Sequence, residues 1–135
     1  MRADELKMFS EEFFECLELY VTHARDMFQS KTPQRHLDEI REVIHTMRAT
    51  CMMLQITNLT NFFEAFEEFL GKITLTPDGR VPFALNKALD IGYSKFEELD
   101  KILKTSKRPT EKIEAIETIE TLVEIESFLS YEPTT

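Results

Sequence analysis

Glycine, cysteine and long apolar runs are scarce in this chain of 135 residues. Gly71, Gly79 and Gly92 stand far apart, so the sequence holds neither a Walker loop nor a dinucleotide-binding loop, and we expect no ATP site on this chain. No run of about 18 apolar residues exists, so no segment is expected to span a membrane. Three glycines and five prolines are too few for an all-β protein with a turn every ten residues or so.

The two cysteines, Cys16 and Cys51, fall within helical patterns and have no CxxC spacing. We expect two reduced, partly buried thiols rather than a disulfide or a metal site. The polar and acidic start from Met1 to Glu5 is unlike a secretory signal peptide. Together these features predict a cytoplasmic protein.

Acidic residues outnumber basic ones by 25 to 16, which gives a formal charge of −9. Such a surface repels nucleic acids and anionic membranes, so we expect neither as a partner. The length suits one domain large enough to bury its own core. We therefore predict a monomeric domain over residues 1–130, followed by a flexible tail or linker at residues 131–135.

Apolar residues recur every three or four positions in five segments, which is the spacing of amphipathic helices. These segments are residues 4–29, 33–54, 59–71, 82–104 and 111–129. Thr32 is a suitable N-cap before Pro33, and residues 76–79 carry a strong turn signal. Because short connections join long helices, the sequence predicts an all-α protein, an antiparallel up-down four-helix bundle with an additional C-terminal helix, five helices in all.

One residue of the second predicted helix breaks the apolar pattern. The apolar stripe of that helix is centred near Ile44 and Cys51, and His45 points roughly 130° away from it, toward solvent. Its neighbours on the same helix face are Arg41, Arg48 and Ala49.

An exposed imidazole between two arginines suits an anionic group attached to the ring. Neutral imidazole is a nucleophile near physiological pH and can carry a phosphoryl group, whose charge Arg48 and Arg41 would compensate. A partner protein can approach the ring closely over the small side chain of Ala49. The alternative is a surface helix that happens to place a histidine beside arginines, and geometry alone leaves both interpretations open.

The sequence around His45 resembles the signature of histidine phosphotransfer (HPt) domains. In His45-Thr46-Met47-Arg48 the histidine, the apolar third position and the basic fourth position agree with that family's motif, as does Leu54 before a turn. The order and spacing of the segments resemble the N-terminal phosphoacceptor domain of CheA-type chemotaxis histidine kinases. This likeness extends over most of the chain.

The resemblance implies a function in a phosphorelay. His45 would accept a phosphoryl group from the catalytic domain of a histidine kinase and pass it to an aspartate of a response-regulator receiver domain. Arg48, with Arg41 assisting, would stabilise the transferring charge, and the receiver would dock over Ala49 and Met52. The resemblance implies no cofactor and no metal on this chain, which is either a separate phosphocarrier or part of a larger kinase.

The resemblance also points to a residue on the third helix. CheA-like members have a glutamate there that hydrogen-bonds the acceptor ring, and matching the segments places Glu67 at that position. Independently, Glu67 lies roughly 100° from the centre of the phenylalanine stripe of its helix, at the edge that faces a neighbour. Such a carboxylate would bind Nδ1–H and leave Nε2 free, whereas the alternative is a solvated glutamate beside Glu64 and Glu68.

The sequence departs from the family motif at several positions, and the departures at Ala49 and Gln55 motivate an alternative function. Arg48 replaces the usual lysine, Ala49 replaces a glycine, and Gln55 stands where a glycine often ends the helix. A degenerate HPt-like domain would bind a receiver or kinase without carrying phosphate. A third possibility is an unrelated helical adaptor, to which a buried His45 would point.

The remaining candidates have simpler interpretations. Glu42-x-x-His45 is half of a di-iron motif, but a single outward-facing pair does not make the site, so we predict no metal. His23 and His36 lie at the borders of apolar stripes and are predicted to be structural. Met47, Met52 and Met53 are predicted to be mainly core filler, with Met52 on the His45 side.

Overall fold

The structure, a computed structural model, describes residues 1–75 and 80–129. Within these ranges the chain is helical, without strands. The helices in chain order are α1 (Ala3–Met27), α2 (Pro33–Met53), α3 (Thr57–Lys72), α4 (Phe83–Thr105), α5 (Pro109–Glu114) and α6 (Ile119–Leu129). In the described part of the chain no helix has the length and apolar character needed to cross a membrane. The turn predicted at residues 76–79 and the tail predicted at 131–135 lie outside the described residues.

The first four helices agree with the sequence-based prediction to within two residues at each end, but the prediction of one helix over residues 111–129 is wrong. The described chain has six helices rather than five, because α5 and α6 are separated by residues 115–118. The apolar spacing of residues 111–129 predicts that Ile116, Ile119 and Val123 face the core, but Ile119 and Val123 are 68% and 62% exposed, and Ile125 is buried instead. Because the helix is interrupted, α6 does not continue the helical phase of α5. The face predicted to be buried therefore points outward in α6.

Contacts with α3 account for this break. The Nδ2 group of Asn58 donates to the carbonyl oxygens of Ile113 and Ile116, at 3.0 Å each. The Thr118 hydroxyl donates back to the carbonyl oxygen of Asn58. Backbone carbonyls that a continuous helix would use internally are therefore bound by a side chain distant in sequence.

Phenylalanine rings form the centre of the hydrophobic core. The fully buried rings are Phe9, Phe13, Phe62, Phe63, Phe66, Phe69 and Phe96. Helix α2 packs against both α1 and α3, α3 also packs against α6, and α1 packs against α4. Burying each ring contributes about 1.5–3 kcal/mol, so the core fixes the position of α2 and α3 relative to each other.

Both cysteines lie in this core as free thiols. Burial raises the pKa of Cys16 and of Cys51 to about 12. Each thiol is therefore protonated near neutral pH and chemically inert, since the thiolate is the reactive form.

The α1–α2 connection is tied by a pair of histidines. The Nδ1 atoms of His23 and His36 lie 2.9 Å apart, so one ring donates a hydrogen bond to the other across the two helices. Thr32 occupies the N-cap position and Pro33 the first turn of α2, as predicted, although the Thr32 side chain makes no capping hydrogen bond. Both histidines have the structural role that their position in the sequence predicts.

The α2–α3 connection contains a residue with an unfavourable backbone conformation. Gln55, immediately after the cap residue Leu54, has a φ of +60°. The next amide, that of Ile56, donates back to the carbonyl oxygen of Cys51 at 2.9 Å. This is the helix-ending turn that usually contains glycine, and a side chain at positive φ costs about 1 kcal/mol.

At Gly92 the backbone of α4 lies close against side chains of α1 and α3. A methyl group at this position would overlap the Tyr20 hydroxyl and come within 2.9 Å or less of two atoms of the Phe66 ring. The hydroxyl of Tyr20 is itself fixed, because it donates to the carbonyl oxygen of Leu89 at 2.6 Å. Gly92 stands where the apolar stripe of α4 would have a side chain, and the space is filled instead by Tyr20 from α1 and Phe66 from α3.

The first prediction concerns this close approach. Gly92→Ala is expected to lower the free energy of unfolding by about 1–3 kcal/mol, because Tyr20 and Phe66 are both buried and have no free space. The matched control is Gly71→Ala in α3, where an added methyl group meets nothing within 4 Å. That variant should gain up to about 1 kcal/mol from helix propensity. Urea unfolding measures both, and equal effects of the two substitutions would contradict the prediction.

A second prediction concerns the turn after α2. Gln55→Gly should raise the free energy of unfolding by about 0.5–1 kcal/mol, since glycine adopts positive φ without the steric cost of a side chain. Gln55→Ala retains a Cβ atom and should give no such gain. Urea unfolding of the two variants distinguishes the backbone effect from the loss of the amide group, and a destabilised glycine variant would argue against strain at this residue.

Candidate functional site

His45 stands on the outer face of α2, as its position on the helical wheel predicts. Its side chain is 50% exposed. Its sequence neighbour Ile44 and the stripe residues Met47 and Cys51 are fully buried on the opposite side. The ring is therefore held by a helix anchored in the core and remains accessible to another protein.

Glu67 reaches the ring from α3. Its Oε1 atom lies 2.8 Å from Nδ1 of His45. A carboxylate only accepts hydrogen bonds, so Nδ1 must carry the proton in this contact. When the ring is neutral, its lone pair is then at Nε2, the nitrogen on the far side of the ring from Glu67.

Arg48 binds the other oxygen of the same carboxylate. Its Nε group donates to Oε2 of Glu67 at 2.5 Å. An Nη2 atom of Arg48 also lies 3.3 Å from Nδ1 of His45. Because the Nδ1 proton already points at Glu67, this last contact is a close approach of two donors rather than a second hydrogen bond. Glu67 thus connects the imidazole and the guanidinium group.

The charge of Glu67 depends on these two partners. Partial burial raises the pKa of its carboxyl group, but the hydrogen bonds from His45 and Arg48, together with their charges, outweigh burial and lower the pKa below the usual 4.5. Glu67 is therefore ionised near neutral pH, which is the state that holds the Nδ1 proton.

Arg41 lies one turn before His45 but does not turn toward the ring. Its Nε and Nη2 groups donate to the backbone carbonyls of Leu70 and Ile73, at 2.9 and 2.7 Å, and its Nη1 group donates to Asp38. From the sequence we expected this guanidinium to assist with phosphoryl charge or with a partner. The structure places it at the C-terminal end of α3.

Apolar side chains follow His45 toward the C-terminal end of α2. Ala49 is partly buried one turn after His45, and Met52 is 55% exposed on the same side of α2. Met47 is buried, but the prediction that Met52 and Met53 are mainly core filler is wrong, because these residues are 55% and 63% exposed. The wheel contained the signal, since Met53 follows Ile44 by nine residues and therefore projects from the opposite face of the helix.

The described residues contain no cluster of side chains suited to a metal ion. Across residues 1–75 and 80–129, no three histidine, cysteine, aspartate or glutamate side chains come together in a way that would hold a metal ion. What the site offers chemically is one oriented imidazole, a carboxylate and a guanidinium group.

Comparisons with known proteins add no assignment. No family model, no curated protein and no solved structure matches this chain.

The third prediction tests the charge of Glu67. Its folded-state pKa is depressed, so the stability it contributes is present above pH 4.5 and is lost as the pH falls through the folded pKa. Glu67→Gln is therefore expected to cost about 0.5–1.5 kcal/mol near neutral pH, and this cost should shrink as the pH is lowered to about 3. Urea unfolding over this pH range measures the difference.

A control on the same helix is Glu64→Gln, which changes an exposed carboxyl group that does not contact His45 or Arg48. Its effect on stability should be small at every pH. A carboxyl-carbon NMR titration gives a direct reading, because Arg48→Gln should raise the midpoint of Glu67. An unchanged midpoint in that variant would contradict the assigned role of Arg48.

Proposed function

We propose that this chain is a histidine phosphotransfer domain of a phosphorelay. It would accept a phosphoryl group on Nε2 of His45 from a histidine kinase and pass it to an aspartate of a response-regulator receiver domain. The observation that carries this proposal is the half-exposed His45 ring whose Nδ1 proton is bound by Glu67. This arrangement leaves the nucleophilic nitrogen, Nε2, unprotonated and on the side of the ring away from Glu67.

The chemistry requires one bond to form as another breaks. The Nε2 lone pair attacks the terminal phosphorus of ATP held by the kinase, the bond to the bridging oxygen breaks, and ADP leaves with the electron pair. The phosphorylated ring keeps its Nδ1 proton and becomes cationic, and the Glu67 carboxylate stabilises that charge. Transfer to the receiver reverses the roles: its aspartate oxygen attacks and the N–P bond breaks.

The surroundings of His45 support docking of a partner. Ala49, Met52 and Met53 form an apolar rim along the last two turns of α2. Arg48, three residues after His45 on the same helix, can meet developing phosphoryl charge with the N–H groups that Glu67 does not use. The receiver would supply Mg²⁺ and the acidic pocket.

The arrangement of the helices is also part of this proposal. We infer that α1 to α4 form an antiparallel up-down four-helix bundle, to which α5 and α6 are added. Support comes from the pairwise packing of α1 on α2, α2 on α3 and α1 on α4, together with the short connections between α1 and α2 and between α2 and α3. In such a bundle α2 presents His45 on an open face. The likeness to the phosphoacceptor domains of CheA-type kinases rests on the order and spacing of the helical segments and on the motif at His45.

The alternative function is a degenerate HPt-like domain that binds a receiver or kinase without carrying phosphate. The motif departures at Ala49 and Gln55 motivate it. The backbone turn at Gln55 keeps the conformation that glycine would adopt, so this departure costs stability rather than shape. The partly buried Ala49 is the departure that bears directly on docking.

The fourth prediction tests the phosphoacceptor. Purified protein incubated with phosphoramidate, a small phosphoryl donor, should gain one phosphoryl group that is acid-labile and base-stable. His45→Gln should abolish the gain, because the amide is not a nucleophile, whereas His23→Gln and His36→Gln should label as the wild type does. Intact-mass spectrometry before and after acid treatment measures the label.

Transfer is tested with a panel of purified receiver domains and the labelled protein. Loss of label from His45 with gain on a receiver aspartate is the expected result. Equal labelling of His45→Gln would overturn the proposal. Receiver binding that persists in an unlabelled protein, and in His45→Ala, would favour the degenerate domain.

A further inference from the structure

Arg41 closes the C-terminal end of α3 from a different helix. The last carbonyl groups of a helix have no partner within it. From the backbone, the carbonyl oxygen of Leu70 accepts a long bond of 3.4 Å from the Ile73 amide. The guanidinium group of Arg41 donates to the same oxygen at 2.9 Å and to the carbonyl oxygen of Ile73 at 2.7 Å. A cation is also favoured at this end by the helix dipole.

The orientation of Arg41 is fixed from both sides. Its Nη1 group donates to Asp38, one turn earlier on α2, at 3.0 Å. The guanidinium therefore uses all three of its nitrogen atoms in forked contacts, an arrangement that a lysine, with its single ammonium group, does not reproduce. The other cation at this end, Lys72, is exposed and binds Glu68 within its own helix.

This contact lies next to the His45 site along the same pair of helices. Arg41 precedes His45 by four residues on α2, and Leu70 follows Glu67 by three residues on α3. The two cross-helix contacts, Arg41 with Leu70 and His45 with Glu67, are thus about one turn apart. A slide of α3 by one residue, about 1.5 Å, would break the 2.8 Å bond between Glu67 and His45.

We propose that Arg41 is a positioning residue that sets the tautomer of His45 through Glu67. By holding the last turn of α3 against α2, it keeps the Glu67 carboxylate opposite Nδ1, so that Nε2 stays unprotonated. This inference rests on the proposed function for its effect on phosphoryl transfer. Its effect on the ring itself requires no transfer.

The first measurement is therefore made on the unphosphorylated protein. Nitrogen-15 NMR shifts of the His45 ring should show a protonated Nδ1 and an unprotonated Nε2 in the wild type. In Arg41→Gln both shifts should move toward a mixture of tautomers. Lys72→Gln, which removes the neighbouring cation without touching α2, should leave them unchanged.

The second measurement is the rate of labelling by phosphoramidate, in which Nε2 attacks phosphorus, the P–N bond of the donor breaks and ammonia leaves. Arg41→Gln should label about threefold to tenfold more slowly, the effect of losing support worth roughly one hydrogen bond. Arg41→Lys keeps the charge and one carbonyl contact and should recover part of the rate. If Arg41→Gln does not fold, the lysine variant carries the same comparison at smaller amplitude.

A double-mutant cycle separates positioning from a direct role. If Arg41 acts through Glu67, the variant Arg41→Gln/Glu67→Ala should label no more slowly than Glu67→Ala alone. Additive losses, or wild-type shifts and rates in Arg41→Gln, would overturn the inference while the proposed function stands. If the ring shifts move as expected in Arg41→Gln but the wild-type protein is never labelled at His45, the proposed function would be overturned instead.

Discussion

The candidate site depends on one carboxylate with two donors. Each oxygen of Glu67 accepts one hydrogen bond, from His45 on one side and from Arg48 on the other. Without this carboxylate, His45 is a surface histidine that exchanges its proton between two nitrogens, and Arg48 is one of many surface cations. With it, the ring has a defined orientation and a defined tautomer, and the carboxylate stays ionised because its two partners outweigh its partial burial.

The core makes this arrangement rigid. Phe66, the residue before Glu67, is fully buried and packs close to Gly92. The backbone of α3 at Glu67 is therefore fixed from the inner side, while Ile44 fixes α2 beside His45 in the same way. A hydrogen bond between two exposed side chains contributes little when both must be ordered for it. Here the core already fixes the backbone of both helices, so only the side-chain rotamers remain to be ordered.

Sequence periodicity was sufficient to predict the features that depend on the spacing of neighbouring residues. It predicted α1 to α4 and the outward orientation of His45, because apolar spacing reports which helix face is buried. It failed where a distant residue decides, since Asn58 interrupts the predicted last helix by binding carbonyls of Ile113 and Ile116. Arg41 shows the same limit at the site: the wheel gives the side of α2 it occupies, but its partners are backbone atoms at the end of another helix. Glu67 was predicted because resemblance and wheel geometry agreed on it.

A carrier must release what it accepts, and on the proposed function the charges around His45 suit both steps. A free guanidinium beside the phosphoryl group would favour retention, whereas no cation would leave the oxygens unopposed during attack. Arg48 is an intermediate case, because its Nε group is bound by Glu67 and only its remaining N–H groups are left for the phosphoryl oxygens. The opposite charges of Glu67 and Arg48 largely cancel at a distance. The direction of transfer would then be set by the metal and acidic pocket of the partner, and this domain would supply an oriented nitrogen and a surface on which that partner docks.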